Sequence, residues 1–364
     1  YLDVRSPIGG TLTPDGKAIY FSWTVTGTRQ VWRLDGPMRF PVQITGGEDR
    51  TAVGEMFPDG KSVVVTRDRN GEENPGLYLL DDRGVLSVIQ HDKGIQAFLD
   101  FVSDDGKSIW FHANDVKPNA YAIYRWDVAS KVRTRVFEQD GLWRVADHSG
   151  ARLLLANDVG SNMTEYFEYV PTTQTLTPLF GQGEREEYDA KYGAHPGELL
   201  VLTPKFSDFR RLYSLNAGKF TAITPEISYD VSSFKVDAAK RRIYYTVNEA
   251  GYTRLHVLDA KSLRELPLPK LPTADHVRLV DLTRDGRYAT LAVDTGDAPA
   301  RTWVYDWQAK KLIQWWEPST PEVDTRRFVR STLERYPARD GTSIPMFVRR
   351  PSQCKTELCP VIVS

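Results

Sequence analysis

The segment 103-SDDGKSIWFHA-113 joins a tight polar turn to a run of apolar and aromatic residues, and the same join recurs along the chain. Asp-Gly-Lys turns, intact or degraded, lie at 13-TPDGK-17, 57-FPDGK-61, 103-SDDGK-107, 147-DHSGA-151, 194-AHPGE-198, 236-VDAAK-240 and 283-TRDGR-287. Gly accepts positive φ in such a turn without a Cβ penalty, and the preceding Asp caps it with its own side chain. Each turn feeds an apolar strand such as 62-SVVVT-66 or 242-RIYYTV-247, then a polar loop and a third strand. That third strand closes at 35, 81, 127, 171, 216, 259 and 306, in steps of 46, 46, 44, 45, 43 and 47. The constant phase identifies seven copies of one unit.

The strands are short and rich in Val, Ile, Tyr, Phe and Trp, as suits a pleated, half-buried surface, and no helix-length amphipathic segment interrupts them. Four antiparallel strands in about 45 residues, radially repeated, predict an all-β, seven-bladed β-propeller. The WD version is disfavoured, because Trp-Asp closes only one third strand (Trp126-Asp127). Strand parity fixes the faces. The Asp-Gly turns share one face of the disc with the turns between third and fourth strands. The loops between second and third strands share the other face with the crossings to the next blade. The first blade supplies its own inner strand near 5-RSPIGGTL-12 and the last its own outer strand at 311-KLIQWW-316. Closure without strand exchange, and an exit onto the crossing-loop face, are therefore expected.

Composition excludes several classes. With 47 basic and 48 acidic residues in 364, net charge −1 and no long charge block, a nucleic-acid face is not expected. Apolar runs such as 199-LLVL-202 are too short to span a membrane. The chain opens on Tyr1 without Met or signal peptide, and is read as processed or trimmed. His148 and His195 sit in Asp-Gly turns, and His91, His112, His256 and His276 show no metal-ligand spacing, so neither a metal nor another cofactor is expected.

The ending departs from the repeat: 340-DGTSIPMFVRRPSQCKTELCPVIVS-364 runs from an Asp-Gly turn into a strand, a Cys-bearing loop and a second apolar strand. A propeller built on Pro-Asp-Gly-Lys turns, followed by 340-DGTSIPMFV-348 and 360-PVIV-363, resembles the prolyl oligopeptidase family of serine peptidases, and 66-TRDRNGEENPGLYLLD-81 resembles the second blade of its bacterial members. The resemblance implies a propeller over residues 1–317. It implies a linker with the opening strands of a truncated α/β-hydrolase domain over 318–364. It further implies acyl transfer by a Ser-His-Asp triad located beyond residue 364. No Gly-x-Ser-x-Gly elbow occurs in the chain, so no catalytic residue is assigned and the chain alone is expected to be inactive.

The same resemblance implies a peptide substrate gated by the propeller, with the hydrolase domain as partner. Charged residues of the crossing-loop face are candidates to hold peptide termini: Glu48, Arg50, Arg69, Glu72, Glu73, Glu186, Glu187 and Arg210. Solvated loop charge, or for Arg69 and Glu72 a stapled hairpin around Asn70-Gly71, is the simpler role. Cys354 and Cys359 bracket four residues, a span open to a disulfide or to two reduced thiols. The oxidised form points to a periplasmic or secreted protein, the reduced form to a cytoplasmic one. A non-catalytic propeller serving as a binding or scaffold module is the alternative. Substrate preference and oligomeric state are not encoded in any motif present.

Overall fold

A computed structural model describes residues 6–320, 322–355 and 358–363. The first sheet pairs β1 (Ile8–Leu12), β2 (Ile19–Trp23), β3 (Gln30–Leu34) and β4 (Val42–Gln43) in sequence order. The second repeats this with β5 (Thr51–Met56), β6 (Val63–Arg67), β7 (Gly76–Leu80) and β8 (Leu86–Gln90). The third holds β9 (Ala97–Val102), β10 (Ser108–Lys117), β11 (Ala120–Asp127) and β12 (Arg133–Phe137). The fourth holds β13 (Trp143–Ser149), β14 (Arg152–Gly160), β15 (Met163–Val170) and β16 (Thr175–Phe180). The fifth holds β17 (Asp189–Tyr192), β18 (Leu199–Thr203), β19 (Arg211–Asn216) and β20 (Lys219–Ala222). A seven-stranded sheet follows. It comprises β21 (Val231–Val236), β22 (Arg242–Glu249), β23 (Tyr252–Asp259), β24 (His276–Leu282), β25 (Tyr288–Asp294), β26 (Arg301–Asp306) and β27 (Lys311–Trp316). The chain is all-β in the manner of a propeller, with no α-helix among the described residues.

One expectation fails in the sixth repeat. Its meander stops at three strands, and a single parallel pair, Thr253 with His276, links β23 to the next meander. The missing fourth strand corresponds to 264-RELPLPKLP-272, which packs its leucines against Leu255 and Val257 of β23 but pairs with that strand through a single bridge, between Leu258 and Glu265. Pro267, Pro269 and Pro272 lack the N–H groups a ladder needs, so pairing ends there.

Apolar clusters fill the spaces between neighbouring sheets. Val64 and Leu77 of the second sheet pack with Ile109, Phe111 and Trp126 of the third. Leu200 and Leu212 of the fifth pack with Phe234 and Ile243 of the next. Leu12, Ile19, Phe21 and Trp32 of the first pack with Val304, Trp315 and Trp316 of the last meander, so the array returns on itself. At that seam the Met38 N–H donates to the Trp315 carbonyl (2.8 Å), while no described strand of either end pairs with the other. Closure thus rests on apolar contact rather than a shared sheet.

After β27 the chain forms a hairpin of β28 (Thr332–Pro337) and β29 (Ser343–Val348), turned at the Asp340-Gly341 pair. It lies on the crossing-loop face. The Phe347 ring meets Tyr252 edge-on at 5.0 Å, Arg330 pairs with Asp275 at 2.7 Å, and Arg349 donates to the Gly296 carbonyl at 2.7 Å. The second apolar strand expected at 360-PVIV-363 is not formed: these residues are exposed and unpaired among the described residues. A lone apolar strand has no ladder partner to hold it extended.

Candidate functional site

The inner strands enclose a central channel containing a cavity of about 600 Å³. β1, β5, β9, β13, β21 and β24 each carry a bulge, whereas β17 is regular. A bulge leaves one residue unpaired and re-aims its side chain. Of the charges lining the channel, Glu55 and Asp100 sit at such a bulge, whereas Asp147, Lys191, Lys235 and Asp281 occupy paired positions.

Three carboxylates from inner strands reach sideways to the next sheet. Glu55 accepts the Val102 N–H (3.1 Å), Asp100 accepts the Val145 N–H (3.2 Å) and Asp147 accepts the Tyr192 N–H (2.8 Å). Lysines do the converse, with Lys191 donating to the Ala146 carbonyl and Lys235 to the Val280 carbonyl (3.3 Å). Each link spans one repeat, so these groups stitch sheet to sheet around the channel. Hydrogen bonds to a charged partner are about twice as strong as neutral ones, which suits strand edges that expose backbone donors to a cavity.

Two cations on the Asp-Gly-turn face reach farther. Arg284, in the turn between β24 and β25, contacts Glu55 (2.5 Å), the Val102 carbonyl (2.8 Å) and Asp104 (3.3 Å). Lys240 contacts Asp147 and the Tyr192 carbonyl, both at 3.0 Å. Burial pushes the Glu55 carboxyl up to about 7, against the Arg284 charge and the Val102 N–H, which favour its ionised form. Burial likewise raises Asp281 and Asp237 and lowers Lys191 and His148. His148 lies not in the turn, as expected, but near the end of β13, paired with Leu153, and stacks on Phe101 with ring centroids 4.0 Å apart. Among the described residues no group of three or more His, Cys, Asp or Glu is placed to hold a metal ion.

The crossing-loop candidates lie apart from this ring. Arg50 pairs with Asp68 (3.3 Å), Arg69 with Glu72 (3.5 Å) and Arg210 with Glu187 (3.3 Å). The Asn70 N–H donates to Asp49 (2.8 Å), which fastens the loop between β6 and β7 to the first crossing, and the Glu73 N–H donates to Asp68 (3.2 Å) within that loop. Glu48 and Glu73 are exposed and Glu186 is half-buried; no ion pair joins these three among the described residues. Cys354 and Cys359 form a disulfide with Cα atoms 5.6 Å apart.

Sequence reasoning missed the channel ring, although a signal existed. Glu55, Asp100, Lys191, Lys235 and Asp281 each place a charge inside an inner strand shortly before the Asp-Gly turn, in repeat phase. Ionisable groups at positions otherwise apolar are rarely buried unless they are paired.

No family model matches the chain, and neither does any curated protein. Solved structures do. A prolyl endopeptidase studied for inter-domain dynamics in catalysis and specificity superposes with a TM-score of 0.75 at 16% identity over 96% of this chain and 55% of its own. Prolyl oligopeptidase B from Galerina marginata superposes with a TM-score of 0.73 at 12% identity, over 96% of this chain and 56% of its own. The same protein bound to a 25-residue macrocyclization substrate gives a TM-score of 0.72 at 12% identity, with the same shares covered. The chain therefore spans about half the length of these structures and has the fold of the propeller portion of a prolyl oligopeptidase-like protein.

Proposed function

We propose that this chain is the seven-bladed propeller, with the opening hairpin of an α/β-hydrolase domain, of a serine peptidase acting on short peptides. The seventh blade follows from counting the seven-stranded sheet as a three-stranded and a four-stranded blade joined by one residue pair. The observation that carries the reading is the combination of fold likeness over 96% of the chain with a hairpin seated on the crossing-loop face. In this reading residues 1–317 form the propeller and 318–364 lead into the hydrolase domain, which covers that face as the chain's own partner.

Catalysis belongs to groups outside these residues: a Ser attacks the scissile carbonyl, a His moves its proton and backbone N–H groups hold the oxyanion. The propeller's part is access and orientation. Glu48, Glu73 and Glu186 are available to a peptide ammonium, and Arg50, Arg69 and Arg210 can turn from Asp68, Glu72 and Glu187 toward a carboxylate. The Cys354–Cys359 disulfide favours a periplasmic or secreted setting. The test is hydrolysis by the product of the whole gene. Fluorogenic Xaa-Pro, dipeptidyl and acyl-aminoacyl reporters identify the substrate branch. The reading requires at least one to be cleaved and a folded protein to be left intact; turnover of none of them counts against it.

A further inference from the structure

We propose that the outer edge of the sixth repeat binds a free tripeptide with an uncharged, apolar middle residue, added as the strand that this repeat lacks. In the other repeats a fourth strand covers the outer edge of the third, as β8 covers β7 by pairing Leu86 with Leu80, Ser87 with Leu79 and Val88 with Tyr78. The matching run 255-LHVLD-259 of β23 is covered only toward its ends. At one end the Leu266 N–H donates to the Val257 carbonyl (2.8 Å) and the Asp259 N–H to the Arg264 carbonyl (2.9 Å). At the other the Thr253 N–H donates to the Asp275 carbonyl (3.2 Å). Thr253, Leu255, Val257 and Asp259 therefore turn their backbone groups outward. Between the two closed ends, neither the N–H nor the carbonyl of Leu255 meets a backbone partner among the described residues. Leu255 is 7% exposed, and backbone groups so buried are nearly always paired.

A cavity of about 460 Å³ opens beside this edge, a size typical of small-ligand sites, and it shares no lining residue with the channel. Leu266, Leu268, Leu271 and Val277 form its apolar wall, on the side to which Leu255 points. A peptide antiparallel to β23 runs from the Glu265 end of the cavity to the Arg254 end. Its middle residue exchanges both backbone bonds with Leu255 and, lying directly opposite, buries its side chain on the same wall. Its ammonium then meets Glu265 and its carboxylate meets Arg254. Both groups are open to a ligand: Glu265 is 64% exposed beside His256 (3.0 Å), and Arg254 is 39% exposed beside Glu249 (3.7 Å). Because the chain's own bonds close the edge at both ends, the longer strand of a folded partner or of a second copy does not fit.

Hydrogen exchange on the 364-residue chain, titrated with the free peptide Ala-Leu-Ala, tests the site. Exchange of residues 252–259 should slow about tenfold once the peptide stands at about ten times its Kd, while residues 143–222 hold steady. N-methylation of the peptide's Leu nitrogen, which removes the N–H facing Leu255, should weaken binding about tenfold. Arg254→Met and amidation of the peptide's C-terminus should each weaken it several-fold, and the two together no further, since they break the same contact. An absence of slowing up to about 20 mM peptide overturns the proposal, as does an N-methylated peptide that protects as well as its parent. Slowing that grows with protein concentration in the absence of peptide also overturns it, because the occupant is then a second copy.

Discussion

Replacing Asp147 with Ala removes two bonds at once. Its Oδ2 accepts the Tyr192 N–H at 2.8 Å and faces the Lys240 ammonium at 3.0 Å, with the carboxylate side chain 18% exposed and the lysine 26%. A net charge-assisted hydrogen bond contributes about 1.5–3 kcal/mol, and an orphaned buried N–H adds a desolvation cost of about 1 kcal/mol. Lys240 keeps the Tyr192 carbonyl at 3.0 Å and regains some water, which offsets part of its loss. The sum is about 3 kcal/mol for Asp147→Ala. Lys240→Met keeps the aliphatic stem and leaves the Tyr192 N–H satisfied, so it should cost about 1 kcal/mol. Because both variants break the same contact, the double mutant should fall short of additivity by about 1 kcal/mol. Urea unfolding followed by tryptophan fluorescence gives the three values, and hydrogen exchange at β17 and β18 locates the effect. An Asp147→Ala chain within about 0.5 kcal/mol of wild type, or strict additivity with Lys240→Met, would refute sheet-to-sheet stitching by inner carboxylates.

Three further outcomes are expected. Trp316→Ala, which opens a cavity against Phe21 where the first and last sheets meet (ring centroids 4.9 Å), should cost about 3–5 kcal/mol and expose β1 to β4 to protease before the other sheets. Gly76→Ala should cost about 2 kcal/mol or more by the same unfolding assay, since a Cβ there falls 2.7 Å from the Gln90 carbonyl oxygen and against the His91 ring. Glu55→Gln should flatten the pH dependence of stability. The folded pKa lies above the unfolded one, so the favourable contribution of neutral Glu55 is fully present below about pH 4.5 and is lost as pH rises through about 7. That shift corresponds to about 3 kcal/mol unscreened. It falls to about 1 kcal/mol once channel water reaches the 36% of the side chain that is open, so the variant should be more stable than wild type at pH 8 by about that amount.

The repeat was legible because turn chemistry and strand period coincide: 57-FPDGK-61 and 103-SDDGK-107 place Gly60 and Gly106 at positive φ, and the strands after them pair in the expected order. Parity also anticipated which face receives the chain after Glu317, since Phe347 and Arg330 lie on the loops of that face. The sixth repeat was misread, because three prolines interrupt a segment whose leucines otherwise suit a fourth strand. The channel ring stayed hidden for a different reason. Which residue of an inner strand faces the cavity depends on pairing register, and at Glu55 and Asp100 on a bulge, rather than on local composition. Contacts such as Arg284 with Glu55 join residues 229 positions apart, and only the closure of the ring brings them together.

Labelling with a Ser-directed fluorophosphonate asks the decisive question of function. The product of the whole gene should be modified at a single serine outside residues 1–364, and the 364-residue chain alone should remain unlabelled. An unlabelled whole-gene product, or a modified serine within residues 1–364, would contradict assignment of this propeller to a serine peptidase whose catalytic groups lie elsewhere.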